Sequence, residues 1–568
     1  MNYTIVKADD HWFRENINCQ YACPVNTPAM NYIERIIEGD FDGSLRLNFM
    51  ANLFPHILGR VCTHPCETAC RRGTIDKPIS ICALKRSAAD FATKKFPQKP
   101  LTLTKTGYCV AIIGSGPSGL AAAHDLAVKG HDVVIYEALS VAGGMLTVGI
   151  PPYRLPRSPI DDVVNWIKEL GVDIRLNSPI DTHDKFDELL KKYNAVYIAA
   201  GAHKSQLLEI PGEGLAGVMH GVTFMKDTNL GKVHVVPEKV AVIGGGFTAI
   251  DCARSSLRLG AKEVSLIYRR TLAEMPAGEI EVRMAGEEGI KINYLTSPVK
   301  IMGGHDKQVT HLECIKNRLG EPDDKGRCRP IPIEGSNFII SVDMVIAAIG
   351  QSPDVGFLSD KFGIKINHWG MPTINRENFM TTRKGVFAGG DCVTGPRNVI
   401  EVIADGRKAA KAIHTFLADQ EKKEYTFYYK DRAPLERMAD YESIPRQRQD
   451  ALPINNRWNI NAEVEQGLSR ENTCKEAGRC LLCHYNIFID EKCILCGGCI
   501  DVCPYNCISM VSRENIEATN AIHDESVVSD DWDAAMVINE EKCIRCGLCV
   551  KRCPVNAITM RRFAYSEE

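Results

Sequence analysis

"GYCVAIIGSGPSGLAAAHDLAVKGHDVVIYE", residues Gly107–Glu137, is the stretch on which the reading of the central fold turns. An apolar strand, Cys109–Ile113, runs into a turn that carries Gly114, Gly116 and Gly119. An Ala/Leu-rich helix follows, then a second strand, Asp132–Ile135, and the acid Glu137. Glycines at these positions let the chain reverse tightly and let a pyrophosphate approach the helix N-terminus; a carboxylate at the end of the second strand can hydrogen-bond ribose hydroxyls. The glycine pattern alone is weak evidence. With strand, helix and acid all in place, it predicts a dinucleotide site on a Rossmann-like α/β domain.

A second copy begins at Lys239, "KVAVIGGGFTAIDCARSSLRLGAKEVSLIYRR", with Gly244, Gly246 and Ala249 at the three turn positions. Tyr268 stands where the ribose-binding acid would be, followed by Arg269 and Arg270. An acid repels a 2′-phosphate, whereas guanidinium groups bind it through charge-assisted hydrogen bonds. The second site is therefore expected to prefer NADP(H); the plainer alternative makes the two arginines a solvated strand end. After this unit, "VDMVIAAIGQSPD" (Val342–Asp354) and "GVFAGGDCVTGPRNVIEVIADGRKAA" (Gly385–Ala410) read as the return of the first half. A strand at Val386–Ala388 leads there to Gly389, Gly390 and Asp391, and a helix starts near Val399.

This order of segments resembles the two-dinucleotide flavoproteins. The resemblance implies FAD at the first site, a nicotinamide at the second, and Asp391 at the FAD ribityl or pyrophosphate. Hydride transfer between nicotinamide and flavin is the cofactors' own chemistry, so no catalytic acid or base is expected. Cys252, Cys314, Cys328 and Cys392 stand singly, without the paired cysteines that a thiol–disulfide reductase would carry near its flavin.

The 568 residues suggest three or four domains at about 100–200 residues each. A net charge of −3 gives no support to nucleic-acid or membrane-surface binding. No apolar run approaches the ~18 residues of a membrane span, and the start, "MNYTIVKADDHWFREN", has no apolar signal core. Of the 23 cysteines, five lie between Cys19 and Cys70, twelve between Cys474 and Cys553, and six are scattered between. That distribution points to metal sites at both ends of a cysteine-poor centre, in a reducing cytoplasm.

"DEKCILCGGCIDVCPYNCISM" and "EEKCIRCGLCVKRCPVNAITM" are an internal repeat. Each is the C-x2-C-x2-C-x3-C-P run of bacterial ferredoxins, in which the fourth cysteine ligates the other cluster. One [4Fe–4S] cluster is expected on Cys493, Cys496, Cys499 and Cys553, the other on Cys543, Cys546, Cys549 and Cys503. Cys507 is left over and reads as a small buried apolar residue. The acidic stretch "HDESVVSDDWD" between the runs reads as a solvated insertion in preference to a docking loop.

Towards the N-terminus stand Cys19, Cys23, Cys62, Cys66 and Cys70, too few for two four-thiolate clusters and one too many for a single one. Apolar residues at helical spacing (Met30, Ile33, Ile36, Ile37) predict helices between the ligand loops, and His64 reads as a loop residue. From about Cys19 to Ala410 the chain is similar to the small subunit of NADPH-dependent glutamate synthase, a family that also covers the N-terminal half of dihydropyrimidine dehydrogenase and the large subunit of NADH-dependent ferredoxin:NADP oxidoreductases. The resemblance is carried by "CP" at Cys23–Pro24, "GRVC" ending at Cys62, "GGMLTVGIPPYRLP" from Gly143, "GGGFTAIDCAR" from Gly244, "YRRTLAEMPA" from Tyr268, "AAIGQSPD" and "GVFAGGDCVTGP". It adds Gly144 to the flavin-binding residues. Phe247 stands where the family usually has Asn, a departure confined to one nicotinamide-site contact.

The resemblance also implies two N-terminal [4Fe–4S] clusters and an opening "EAxRCLxC" before the first "CP". That motif is absent before Cys19, but a copy, "EAGRCLLC", stands at Glu476–Cys483. The implied arrangement is a fold-back: Cys480 and Cys483 complete one cluster with Cys19 and Cys70, while Cys23, Cys62 and Cys66 hold the other with a fourth ligand. The family often has Gln or Glu for that ligand at about Lys85; Cys82, one helical turn earlier, is the candidate here. Cys474 competes for either place, and the alternatives are a local site of Cys474, Cys480 and Cys483, or free thiols.

The expected architecture is multidomain: an N-terminal α-helical Fe–S domain (1–100), an FAD-binding domain (101–235 and 341–415), an NADP-binding domain (236–340), a linker with C-x2-C (416–485) and an α+β bacterial-type ferredoxin domain (486–568). The expected function is an NADPH-preferring FAD and [4Fe–4S] electron-transfer subunit with four clusters, exchanging electrons with other redox subunits or a soluble ferredoxin in a hetero-oligomeric complex. The alternatives are a glutamate synthase small subunit serving a separate glutaminase/FMN subunit, or a redox-responsive scaffold.

Overall fold

The computed structural model describes residues 3–5, 12–13, 16–97, 104–322, 326–418, 427–432, 443–518 and 533–565. The chain forms two compact units: Met1–Pro97 with Glu421–Gln449 and Gly467–Glu568, and Gln98–Gln420 with Asp450–Gln466.

In the second of these, strands Val386–Ala388, Ala195–Ile198, Cys109–Ile113, Asp132–Tyr136 and Asp173–Arg175 lie side by side in that order, all parallel. Val110–Ile113 is buried throughout, as a parallel strand covered on both faces requires. Helix Pro117–Val128 packs against the long helix Val399–Ala418. Gly406 permits the close approach, since a Cβ there would lie 2.2 Å from the Ser118 carbonyl oxygen.

A second parallel sheet has the order Lys291–Asn293, Glu263–Ile267, Lys239–Ile243, Met344–Ala347, Val218–His220. An antiparallel sheet of Thr296–Gly303, Val309–Pro322, Cys328–Pro332 and Phe338–Ser341 accompanies it. This topology shifts the expected boundaries at 235/236 and 340/341. Val218–His220 and Met344–Ala347 both belong to the second sheet, and the chain returns to the first only at Val386–Ala388. A fully buried apolar strand such as Met344–Ala347 carries no periodicity that assigns it to one sheet or the other; its hydrogen-bonded neighbours decide. The expected linker is likewise divided: helix Val399–Ala418 enters it, Asp450–Gln466 joins the nucleotide-fold unit, and Gly467 onward joins the cysteine-rich unit. Residues 419–426 and 433–442 of it, and 519–532 from the acidic insertion, lie outside the described residues.

A buried ion network ties the two parallel sheets' domains together. Arg154, from the segment after the first nucleotide turn, donates to both carboxylate oxygens of Asp251 at 2.9 and 2.7 Å and pairs with Glu281 at 3.1 Å. Arg254 and Arg258 close on Glu288 and flank the Tyr153 ring, at 5.0 and 4.0 Å from its centroid. The returning segment adds Arg457 to Glu287 at 3.5 Å and a Val464 amide to the Tyr153 carbonyl at 2.9 Å. Charges this deeply buried persist only because each has an opposite charge and hydrogen bonds.

In the cysteine-rich unit, helices Ala29–Ile37, Phe41–Ala51, Pro55–Val61 and Ile81–Phe91 come from the N-terminal segment. Met30, Ile33 and Ile36 are buried whereas Ile37 is 39% exposed, because consecutive helical positions point about 100° apart. His64 caps the short helix Pro65–Thr68 in the left-handed region, a loop residue as expected. The ferredoxin-type repeat supplies antiparallel pairs Ile508–Ser512 with Ala534–Ile538 and Tyr485–Ile489 with Ile558–Tyr565. One hydrophobic core takes Ile33, Ile36 and Leu84 from the helices and Tyr485, Ile508 and Ile558 from these strands.

Candidate cofactor sites

The first nucleotide turn is held by steric necessity. Gly114 has φ +101°, and a Cβ on it would lie 2.5 Å from the Ala199 carbonyl oxygen; one on Gly119 would lie 2.0 Å from the Gly114 oxygen. Gly116 is the opposite case: a Cβ there would meet nothing within 4 Å. The turn is thus packed from behind and open in front of the helix N-terminus, the shape a pyrophosphate needs. Gly144 closes one side, with an added Cβ only 2.7 Å from Gly116 Cα. Glu137 is buried; Oε2 accepts from the Ser115 amide at 2.9 Å and the Ser115 hydroxyl at 2.5 Å, and Oε1 from the Leu139 amide at 2.8 Å. A carboxylate has about four acceptor positions, so one remains for a ribose hydroxyl. Asp391 follows Gly390 at the end of Val386–Ala388; burial pushes its carboxyl up to about 6, against the Arg397 amide that it accepts at 2.9 Å.

The second turn repeats this design. Gly244 lies against the Ala348 carbonyl, 2.3 Å from an added Cβ, and Gly246 opens onto free space. Ala249 at the third position is fully buried. Tyr268 packs its ring under Gly245 and donates its hydroxyl to the Glu274 carbonyl at 2.7 Å, so the usual place of the acid is filled by an uncharged ring. Arg269 is exposed, whereas Arg270 is buried and anchored by Nε to the Cys328 carbonyl at 2.7 Å. Burial, Arg270 and Arg327 all lower the Arg269 guanidinium pKa. Arg327 enters from a hairpin that sequence spacing does not connect to Arg269. Three cations gathered beside a nucleotide turn suit a phosphate dianion.

In the cysteine-rich unit, the expected sulfurs gather in sets. Cys493, Cys496, Cys499 and Cys553 line one cavity, with Met536, Val555 and Ile558. Cys503, Cys543, Cys546 and Cys549 line a second, which also contains Cys507. A third is lined by Cys19, Cys70, Cys480 and Cys483, so the segment "EAGRCLLC" lies against the N-terminal loops. Burial pushes the Cys19 thiol well above its ordinary range, and Cys483, Cys70, Cys480 and Cys66 add to the shift. Such thiols lose their protons when iron binds. The remaining four surround Lys85, which is 3% exposed: burial pulls its ammonium down, but Cys62, Cys82, Cys66 and Cys23 outweigh that and drive it up. Cys82 donates its thiol to the Leu58 carbonyl at 3.0 Å. Cys474 is exposed and lines none of the three cavities. Among the described residues no three His, Cys, Asp or Glu side chains converge to hold a single metal ion. Sulfurs spread around a cavity suit a multi-iron cluster with its own sulfides.

Two residues of "EAGRC" hold that segment in place. Glu476, fully buried, accepts from the Ser80 amide at 2.7 Å, the Gln447 amide at 2.6 Å and Arg479 Nη1 at 2.7 Å. Arg479, also fully buried, donates to the Ile444 carbonyl at 3.0 Å and to Asp76 and the Lys77 carbonyl at 2.8 Å each. Its own carbonyl accepts from Arg72 at 3.1 Å. Sequence reading noted the motif for its cysteines and missed these anchors, although the paired acid and arginine are in the motif itself.

Two phosphate-cradling turns on separate parallel sheets, in a chain whose other unit is rich in gathered thiols, define an FAD- and NAD(P)H-linked iron–sulfur electron-transfer oxidoreductase. The chain belongs to the pyridine nucleotide-disulphide oxidoreductase family, which matches residues 108–407. Residues 11–96 match dihydropyrimidine dehydrogenase domain II, 4Fe–4S cluster, and residues 492–557 match the 4Fe–4S dicluster domain. Among its relatives, the NADP(+)-dependent formate dehydrogenase subunit beta of Moorella thermoacetica is 40% identical over 82% of this chain and 70% of that protein. The NADPH-Fe(3+) oxidoreductase subunit beta of Geobacter sulfurreducens is 38% identical over 82% and 75%. The glutamate synthase [NADPH] small chain of Azospirillum brasilense is 33% identical over 70% and 86%. No helix among the described residues is long and apolar enough to cross a membrane.

Proposed function

We propose that this chain is the NADPH-handling subunit of a multi-subunit redox complex, passing electrons between NADPH and a partner protein or ferredoxin through FAD and four [4Fe–4S] clusters. When bound, FAD exchanges a hydride with the nicotinamide and single electrons with iron–sulfur clusters. The protein's part is to bind and align. Gly114, Gly116, Gly119, Glu137, Gly144 and Asp391 hold FAD; Gly244, Gly246 and Ala249 seat the second dinucleotide, with Arg269 and Arg270 on its 2′-phosphate. Four sulfur sets hold the clusters: Cys19, Cys70, Cys480, Cys483; Cys23, Cys62, Cys66, Cys82; Cys493, Cys496, Cys499, Cys553; and Cys503, Cys543, Cys546, Cys549.

The observation that carries this reading is the third cavity, where two cysteines from each end of the chain meet. A packed apolar group containing Leu481, Ile544 and Tyr505 also holds Cys483 and Cys546, one sulfur from each of two sets. That continuity supports electron passage from the N-terminal sets into the ferredoxin domain. The beta-subunit relatives support a partner chain, and cysteines concentrated in cluster-type runs at both ends of a cysteine-poor centre support a reducing cytoplasm.

Iron per FAD tests the reading, on anaerobically purified protein beside a Cys480→Ser/Cys483→Ser variant. Four clusters give about sixteen irons per FAD. The variant should lose one cluster's iron while the ferredoxin-type signals and NADPH bleaching of the flavin persist. Unchanged iron would show that Cys480 and Cys483 are bystanders.

A further inference from the structure

The two halves of the ferredoxin-type repeat differ at one position that touches a sulfur. "CPYNCISM" and "CPVNAITM" align Cys507 with Ala557. In both halves the backbone amide at this position donates to the cross-ligating cysteine: Ala557 N to Cys553 Sγ at 3.2 Å, and Cys507 N to Cys503 Sγ at 3.4 Å. Only the first half adds a side chain that reaches the same sulfur. Cys507 Sγ lies 3.2 Å from Cys503 Sγ, is also hydrogen-bonded to the Cys543 side chain, is 6% exposed, and lines the same cavity as Cys503, Cys543, Cys546 and Cys549. Ala557, fully buried, offers its cluster only a methyl group.

A [4Fe–4S] cluster takes four thiolates, so one of five sulfurs in this cavity is surplus. A ligating thiolate has no proton to give and can only accept, so across this 3.2 Å contact the surplus sulfur of Cys507 is the donor. Hydrogen bonds to cluster sulfurs raise the reduction potential, because they favour the more negative, reduced form. We propose that Cys507 is a potential-setting residue: its S–H donates to the ligand sulfurs that it touches, Cys503 and Cys543, and raises the potential of the cluster on Cys503, Cys543, Cys546 and Cys549 alone. This rests on the ligand sets proposed above. It also places the device at a functional step, because this set includes Cys546, which packs against the same apolar group as Cys483. The thiol therefore increases the driving force for electrons entering the ferredoxin domain from the N-terminal sets.

The test is an EPR-monitored redox titration with iron analysis on the full chain, as wild type, Cys507→Ala and Cys507→Ser. Cys507→Ala should keep its iron and lower one ferredoxin-type midpoint potential by a three- to tenfold change in the reduction equilibrium, about 30–60 mV at ~59 mV per decade for one electron. The other midpoint should stay in place. Cys507→Ser keeps a donor and should remain near wild type. Full iron with unchanged potentials in Cys507→Ala refutes the inference, as does an equal shift of both clusters. Loss of one cluster's iron in that variant also refutes it, by making Cys507 a ligand. A wild type without the ferredoxin-type clusters would instead overturn the ligand sets on which the inference rests.

Discussion

Replacing Arg479 by Leu should release "EAGRCLLC" from the N-terminal loops. The guanidinium is fully buried and donates to a carbonyl at 3.0 Å, to Glu476 at 2.7 Å, and to Asp76 and the Lys77 carbonyl at 2.8 Å. Leucine fills part of the volume but strands the Glu476 carboxylate, which has no exposure and keeps only the Ser80 and Gln447 amides. Removing one partner of a buried, hydrogen-bonded ion pair costs about 3–5 kcal/mol, a factor of roughly a hundred to several thousand in the closed-to-open ratio. Total stability is only about 5–15 kcal/mol, so the segment should open before the unit unfolds. Because Cys480 is the next residue, its sulfur and that of Cys483 should drift from Cys19 and Cys70. The assay is iron per FAD together with urea denaturation, against the half-buried control Lys475→Ala on the same helix. Arg479→Leu should lose one cluster's iron and unfold at lower urea, and the control should do neither. Wild-type iron and an unmoved midpoint in Arg479→Leu would refute the reasoning.

Three further outcomes follow from the nucleotide-fold unit. Arg269→Ala should raise KM for NADPH about ten- to a hundredfold, the worth of one or two charge-assisted bonds, and leave KM for NADH unmoved; steady-state kinetics with both coenzymes check this. Gly116→Ala should fold, since its Cβ meets nothing within 4 Å, yet lose FAD severalfold; Gly114→Ala, at φ +101° and 2.5 Å from a carbonyl, should fail to fold, as circular dichroism and flavin absorbance would show. Glu288 is held down to about 2 from 4.5: burial opposes this, but hydrogen bonds from Arg258 and Arg254 prevail. Its contribution of about 3 kcal/mol is present above about pH 4.5 and is lost as pH falls towards 2, so the stability gap between wild type and Glu288→Gln in urea melts should narrow steadily over that range.

The turns and the repeat were legible because their chemistry is local. Gly114, Gly116 and Gly119 lie within six residues, and each ferredoxin-type run packs its cysteines into eleven, so spacing alone marks a nucleotide turn or a cluster-type run, the fourth cysteine crossing to the other set. Strand Met344–Ala347 was misplaced because a run buried on both faces reads the same in either sheet. Arg327 joins Arg269 and Arg270 only through a hairpin closed far along the chain, and no local pattern announces that.

By itself, then, the sequence determined which residues could do chemistry: two nucleotide turns, the ferredoxin runs, and an "EAGRCLLC" copy separated from the N-terminal cysteines it resembles in function. Only the tertiary structure decided which of these residues meet. Cys480 and Cys483 reach Cys19 and Cys70 across some four hundred residues because Glu476 and Arg479, too costly to bury alone, find their partners on the N-terminal loops. Cys507 became more than a spare buried thiol for the same reason: a hydrogen bond depends on distance in space, and 3.2 Å between sulfurs is settled by the packing of the whole cavity.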